Sequence, residues 1–228
     1  MYKYAVIVAG GTGKRMGNMV PKQFLLLKDK PLLWYTLDTF FRAYSDIKII
    51  LVLPHEHIEK GKAITDNFFA NNHVKIVAGG DMRFHSVQCG LHEVKEKSVV
   101  FVHDAVRCLV SVPLIQRCYK QALEKGSAVP AVAATDSIRI LNGSHHTIAN
   151  RQQVRIIQTP QTFLSEIILP AFKQDYNEAF TDEATVVEAY GEKVFLTEGE
   201  YENIKITRPV DMMIAERILE ERLTLKQT

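Results

Sequence analysis

The chain has 228 residues, 46% hydrophobic and 24% charged, a balance that supports an extensive core and excludes a disordered or collagen-like chain. Its 28 Lys+Arg against 26 Asp+Glu leave a formal charge of +2, so no global field grips nucleic acid or an anionic membrane, and phosphate recognition must be local. Cys89, Cys108 and Cys118 lack the density of a disulfide scaffold and the paired spacing of a zinc or redox motif. The first apolar run spans about six residues up to Gly10, too short for a signal-peptide core, and nothing approaches the roughly 20 apolar residues of a membrane span. A single domain over residues 1–228, in the cytoplasm, is expected.

In chain order, Val- and Ile-rich runs predict strands over residues 4–9, 47–53, 74–78, 99–102 and 128–133. Between them lie helical stripes: Leu33, Leu37, Phe40, Phe41 and Tyr44, then Phe84, Val87, Leu91 and Val94. Ser111 is placed to cap a third helix that buries Leu114, Ile115, Cys118, Tyr119 and Ala122. This alternation is that of parallel strands covered on both faces, an α/β sandwich. It breaks after Ala134. Residues 135–158 hold turn material at Asn142-Gly143-Ser144-His145-His146, flanked by strands expected at 137–141 and 154–157, and read as a hairpin-like arm packing on a neighbour or partner subunit. From Thr181 a helix resumes, then strands near 193–196 and 203–207 and a helix entered through Pro209.

Three junctions carry chemistry. Ala9-Gly10-Gly11-Thr12-Gly13-Lys14-Arg15-Met16-Gly17 follows the first strand, where glycines let backbone N–H groups approach phosphates. Neither a Walker loop nor a dinucleotide fingerprint is present, and a tight turn is the plain alternative. Lys14, Arg15 and Lys22, three basic residues within nine positions, suit the charge that develops when a phosphate is attacked. In His103-Asp104-Ala105-Val106-Arg107, Asp104 stands at a strand's carboxyl end, where open α/β sheets bind ligands. It can hold magnesium, and Arg107 can fork onto phosphate; a local salt bridge is the alternative. In Gly79-Gly80-Asp81-Met82-Arg83-Phe84-His85-Ser86, Ser86 or Asp81 reads equally as a helix cap. Asp182-Glu183 after Thr181 reads equally as catalytic carboxylates or as first-turn acids of a capped helix. The histidines assemble no transition-metal site, and no serine or cysteine shows a nucleophile's setting.

Together the glycine loop, Pro21-Lys22-Gln23, the Gly80-Asp81…Ser86 junction, the His103–Arg107 block, Thr159-Pro160-Gln161, Thr181-Asp182-Glu183-Ala184 and Asn203-Ile204-Lys205-Ile206-Thr207-Arg208-Pro209 resemble the 2-C-methyl-D-erythritol 4-phosphate cytidylyltransferase family of the non-mevalonate isoprenoid pathway. The resemblance implies a Rossmann-like nucleotidyltransferase three-layer sandwich with a mostly parallel mixed sheet and a protruding β-arm that joins two subunits into a homodimer. It implies transfer of a cytidylyl group from CTP to a sugar-alcohol phosphate with Mg2+, releasing pyrophosphate, with no nucleic acid or membrane involved. Arg15 and Lys22 match the catalytic cations. Ala9, Gly10, Gly11, Thr12, Gly13, Lys14, Gly80, Asp81 and Ser86 match the nucleotide site. Asp104, Ala105, Arg107, Ser137, Arg151, Thr159 and Lys205 match the acceptor side, and Asp104, with Glu202 as a second candidate, matches the metal position. Cys108 stands where the family often has proline and Ser137 where threonine is frequent. Ribitol-5-phosphate cytidylyltransferase shares the fold, the glycine loop and the His-Asp-Ala block, and a non-catalytic cytidine-nucleotide-binding protein is the reading from another class.

Overall fold

The computed structural model describes residues 1–10, 20–69 and 73–224. Its elements run β1 (Tyr2–Val8), the short ribbon β2 (Leu26–Leu27) and β3 (Lys30–Pro31), α1 (Leu32–Ala43), β4 (Lys48–Leu53), α2 (Ile58–Phe69), β5 (Val74–Ala78), α3 (Arg83–Leu91) and β6 (Ser98–Asp104). They continue with α4 (Val112–Lys125), β7 (Ser127–Ala133), β8 (Arg139–Asn142), β9 (His145–Ile148), β10 (Arg155–Ile157), β11 (Gln161–Leu164), α5 (Ser165–Ala171), α6 (Glu183–Ala189), β12 (Leu196–Glu198) and α7 (Pro209–Thr224).

The central sheet has the order β10-β7-β11-β6-β1-β4-β5, with β12 also pairing β7. β6, β1, β4 and β5 are mutually parallel, while β11 runs antiparallel to both β6 and β7. Strand periodicity decides the layers. Ala5, Ile7, Ile49, Leu51 and Phe101 face one helical layer, where Leu37 and Phe40 of α1 and Leu114, Ile115 and Cys118 of α4 close the core. Val6, Ile50, Val52, Val100 and Val102 face the other, covered by Phe84 and Val87 of α3, Ile168 of α5 and Val187 of α6. The result is a three-layer α/β sandwich with a mixed sheet, and α7 adds a smaller cluster with Leu32, Leu109 and Ile206.

Local chemistry sets the ends. Ser111 caps α4 as its sequence suggests, its Oγ accepting from the Leu114 N–H at 3.1 Å. Gly126 closes α4 at φ +88°, the left-handed conformation that glycine adopts without strain. Four expectations need correction. Residues 154–157 are not the arm's return strand: β10 pairs antiparallel with β7 in the central sheet, with Ile157 packed on its core, so the hairpin proper is β8–β9 and His145 and His146 lie in a strand. Residues 203–207 form no strand, because their buried positions, Asn203 and Ile206, are three apart rather than two. The late strand begins at Leu196 rather than 193. The cap of α6 is Asp182, not Thr181: its carboxylate accepts from the Thr185 N–H, and Thr185 Oγ1 accepts from the Asp182 N–H, a reciprocal capping box. The antiparallel β11 and the helices α2 and α5 had no clear periodic signal.

Candidate active site

A cavity of about 250 Å³ opens at the carboxyl ends of β1 and β6 and is walled by Ala9, Gly10, Lys22, Gly80, Asp81, Arg83, Ser86, Asp104 and Lys205 among others. The topology accounts for its position. β1 and β6 are adjacent and parallel, so Val8 and Asp104 end side by side, and chains leaving a sheet in opposite directions open a crevice there.

Each wall is built by local contacts. Gln23 Nε2 donates to the Ala9 carbonyl at 2.6 Å, clamping the chain where the glycine loop begins. The buried Lys22 beside it extends Nζ to within 3.4 Å of the Thr207 carbonyl. On the facing wall, Ser86 Oγ donates to the Gly80 carbonyl at 3.1 Å. A Cβ at Gly79 would lie 2.7 Å from that Oγ, and one at Gly80 would lie 2.5 Å from His85 Cβ. Glycine is therefore the residue that allows this turn to fold against α3. Neither Ser86 nor Asp81 caps α3; Met82 holds the cap position without a side-chain bond.

Asp104 is the centre of charge. Its Oδ1 accepts from Arg83 Nε at 3.3 Å, and its Oδ2 lies 3.0 Å from Lys205 Nζ and 3.6 Å from Arg107 Nε. Burial disfavours the carboxylate, but Arg83, Lys205 and Arg107 outweigh it and hold Asp104 well below the usual carboxylate range. Arg83 also forks onto Glu183, itself 0% exposed, at 2.5 and 3.1 Å. Glu183 thus stands in the first turn of α6 behind the Asp182 cap, with its carboxylate held by Arg83. With Lys22 and Asp81 on the walls, four cations stand against three carboxylates, an excess of one positive charge that suits an anionic ligand.

The strap 203–207 brings Lys205 to this cluster. Asn203 is fully buried and its Nδ2 donates to the Thr159 carbonyl at 2.8 Å, while Arg107 Nη1 donates to the Asn203 carbonyl at 2.8 Å. Asp211, near the start of α7, accepts from the Thr207 and Arg208 N–H groups, both at 2.7 Å.

The other sequence-derived residues fall elsewhere. Ala105 is buried, its N–H bonded to the Val8 carbonyl at 3.0 Å. Thr159 is buried with its hydroxyl on the Asp104 N–H and on His103. Ser137 and Arg151 are exposed in the excursion around the hairpin, and Arg151 Nη1 donates to the Thr135 carbonyl at 2.7 Å. Glu202 pairs with Arg222 at 2.7 Å and lines a separate cavity of about 950 Å³ without Asp104, which separates it from the proposed metal position. Gly11, Thr12, Gly13, Lys14 and Arg15 lie outside the described residues. Sequence reasoning missed Arg83, Gln23 and Asn203. Arg83 sat inside a quoted motif, but nothing local signalled that its partner stands 100 residues away.

A divalent cation fits this donor set in one way. Among the described residues no three His, Cys, Asp or Glu side chains converge, and the carboxylates that line the cavity are Asp81 and Asp104. Magnesium bound chiefly through substrate phosphates asks for no more than one or two. Nor is any helix of the described residues long and apolar enough to cross a membrane.

Residues 3–221 match the family model described as 2-C-methyl-D-erythritol 4-phosphate cytidylyltransferase. Proteins of that name from Phocaeicola vulgatus and Bacteroides fragilis are 41% and 40% identical over 220 and 219 residues, 96% of this chain and 100% of theirs. The crystal structure of 4-diphosphocytidyl-2C-methyl-D-erythritol synthase from Anaerococcus prevotii superposes with a TM-score of 0.82 at 28% identity, covering 96% of this chain and 98% of that one. With the sheet order, the cationic cavity and a full-length match in agreement, the chain belongs to the 2-C-methyl-D-erythritol 4-phosphate cytidylyltransferase family.

Proposed function

We propose that this chain transfers the cytidylyl group of CTP to 2-C-methyl-D-erythritol 4-phosphate, giving 4-diphosphocytidyl-2-C-methyl-D-erythritol and pyrophosphate. The observation that carries the reading is the cavity at the ends of β1 and β6, in which Arg83 and Lys205 pair with the ionised Asp104 and Lys22 lines the same walls.

In this reading Ala9 and Gly10 receive the nucleotide's phosphates, with the glycine loop after them assigned to the same role by its sequence, and Gly80, Asp81 and Ser86 receive the cytidine. The attacking oxygen belongs to a phosphate that is already anionic near neutral pH, so no strong protein base is needed. The walls agree: no histidine lines the cavity among the described residues, and His103 is buried, its imidazole pushed down to about 3 chiefly by burial. Catalysis then rests on alignment and on charge placed before the reaction. Lys22, and Arg15 by its place in the sequence, offset the charge that grows as pyrophosphate leaves. Lys205 and Arg107, fixed on Asp104, hold the acceptor phosphate. Magnesium, held by Asp104 and the triphosphate, supplies charge neutralisation to the leaving group when bound.

Ser137 and Arg151 complete the acceptor side from the hairpin excursion. The exposed Ile140, Leu141 and Ile148 of that hairpin are the contacts through which two chains form a homodimer.

The test is magnesium-dependent pyrophosphate release from CTP, with methylerythritol 4-phosphate and ribitol 5-phosphate run in parallel. Release with the former, accompanied by a CDP-linked product, is expected. Release with ribitol 5-phosphate alone would transfer the protein to the related polyol activity, and CTP binding without release would make it a nucleotide-binding protein.

A further inference from the structure

His103 is fully buried, directly precedes Asp104, and makes two side-chain hydrogen bonds. Its Nε2 lies 3.2 Å from the Arg107 carbonyl. A carbonyl oxygen only accepts, so Nε2 carries the proton, and a neutral imidazole then has a bare Nδ1. Nδ1 stands 2.9 Å from Thr159 Oγ1, whose hydroxyl must donate to it. The same Oγ1 accepts from the Asp104 N–H at 3.1 Å. Every proton in this chain is assigned: Asp104 N–H to Thr159, Thr159 O–H to His103, His103 N–H to the Arg107 carbonyl.

This matters because of where the sheet ends. β11 pairs with β6 from Leu164 to Gln161, opposite Val99 to Val102. Pro160 has no N–H with which to extend the ladder. Beyond it the Thr159 side chain takes the place of a strand partner at the backbone of Asp104. The hydroxyl hydrogen of Thr159 is already spent on His103, so it is not free to donate to a substrate phosphate.

We propose that His103, acting through the Thr159 hydroxyl, is the positioning residue that fixes Asp104 for the acceptor half of the reaction. The proposal rests on the cytidylyl-transfer reading above. His103 touches neither the cavity nor, on this geometry, any substrate. It locks the hydroxyl in the one orientation that offers a lone pair to the Asp104 N–H, and Asp104 in turn gathers Lys205, Arg107 and Arg83.

Three substitutions separate positioning from packing. Asparagine places an amide oxygen where Nδ1 stands and keeps the acceptor. Glutamine reaches towards the Nε2 place and offers nothing at Nδ1. Phenylalanine keeps the ring that packs against Phe40, whose centroid lies 5.3 Å away, and loses both polar contacts. Positioning predicts that H103N retains kcat/KM for methylerythritol 4-phosphate within about threefold, while H103Q and H103F lose roughly 10- to 100-fold, with KM for CTP within about twofold in all three. A packing role predicts the reverse order, phenylalanine first and asparagine last, and that order would overturn the proposal, as would full activity in H103F. T159V, which removes the hydroxyl, should lose activity to the same extent as H103F. Hydrogen exchange at the Asp104 amide supplies a readout independent of turnover: about tenfold faster in H103F and H103Q, restored in H103N. If the parent protein turns over neither acceptor, the function reading fails alone and amide exchange decides this one; unchanged exchange in H103F would end it.

Discussion

Asp104 and Arg151 were assigned to the same acceptor site from sequence, and the fold treats them in opposite ways. Asp104 is buried and bound by cations from three distant segments, Arg83 on α3, Arg107 after β6 and Lys205 on the strap before α7. Arg151 is exposed, and the side-chain contact it makes is with the Thr135 carbonyl of its own excursion. A charge knotted by three segments is preorganised within one chain, and its polar contacts cost nothing further at the moment of reaction. A charge on an exposed excursion has no such wall in the single chain. On the proposed function, folding completes one half of the site and assembly would complete the other.

The sharpest way to break this division is Asp104→Asn. Removing the charge leaves Arg83, Arg107 and Lys205 facing one another, and breaking a buried pair in this manner costs about 3–5 kcal/mol. Urea unfolding should show that loss, and turnover should fall on the order of 100-fold or more. The pH dependence has a definite sign. Because the folded-state value of Asp104 is depressed, its contribution is fully present above the unfolded carboxylate value of about 3.9 and is lost as pH falls below it. D104N should therefore flatten the acid limb of the stability profile. A variant as stable as the parent would mean that the three cations do not depend on Asp104.

Next in size is Lys22→Ala, with Arg15→Ala beside it. Both should lower kcat by about 100-fold while changing KM for CTP much less, since the charge they offset grows only as pyrophosphate leaves. Equal losses in kcat and in nucleotide affinity would instead make them ground-state binding residues. Lys205 is 42% exposed on its side chain, so Lys205→Ala should cost less than about 1 kcal/mol of stability yet raise KM for the acceptor phosphate. A stability loss as large as that of D104N would mean that Lys205 serves the fold as much as it serves the acceptor.

How far the sequence spoke follows the same line. The parallel strands β1, β4 and β6 were readable because each carries a continuous apolar run bounded by glycine, proline or polar residues, and β5 interrupts such a run only at Lys75. β11 was not, since Gln161-Thr162-Phe163-Leu164 is four residues of mixed polarity whose identity as a central strand comes from slotting between β6 and β7. Asp104, Gly80 and Lys22 were legible through motifs at strand ends. Arg83 was not, because its meaning lies in Glu183, and that partnership exists only once α3 and α6 cover the same face. The 203–207 strap imitated a strand through alternating apolar residues, whereas Asn203 is held by side-chain and carbonyl bonds to Thr159 and Arg107.

The smallest expected effect is also the most discriminating, and it belongs to the hairpin. Leu141 is 76% exposed and Ile148 73%, on paired strands whose residues all face solvent in the single chain. If assembly completes this half, Leu141→Ser should leave the unfolding free energy of the isolated chain within about 0.5 kcal/mol of the parent, as exposed substitutions do. It should nevertheless move the monomer–dimer equilibrium towards monomer, read by sedimentation across a dilution series, and raise KM for the acceptor in parallel because Arg151 would no longer be presented to a partner's cavity. Arg151→Ala should raise that KM without altering the association, since its charge serves the acceptor and the apolar tip serves the contact. If L141S dissociates no more readily and R151A leaves acceptor use unchanged, the hairpin would be a surface ornament and the acceptor site would lie wholly within the half that folding builds around Asp104.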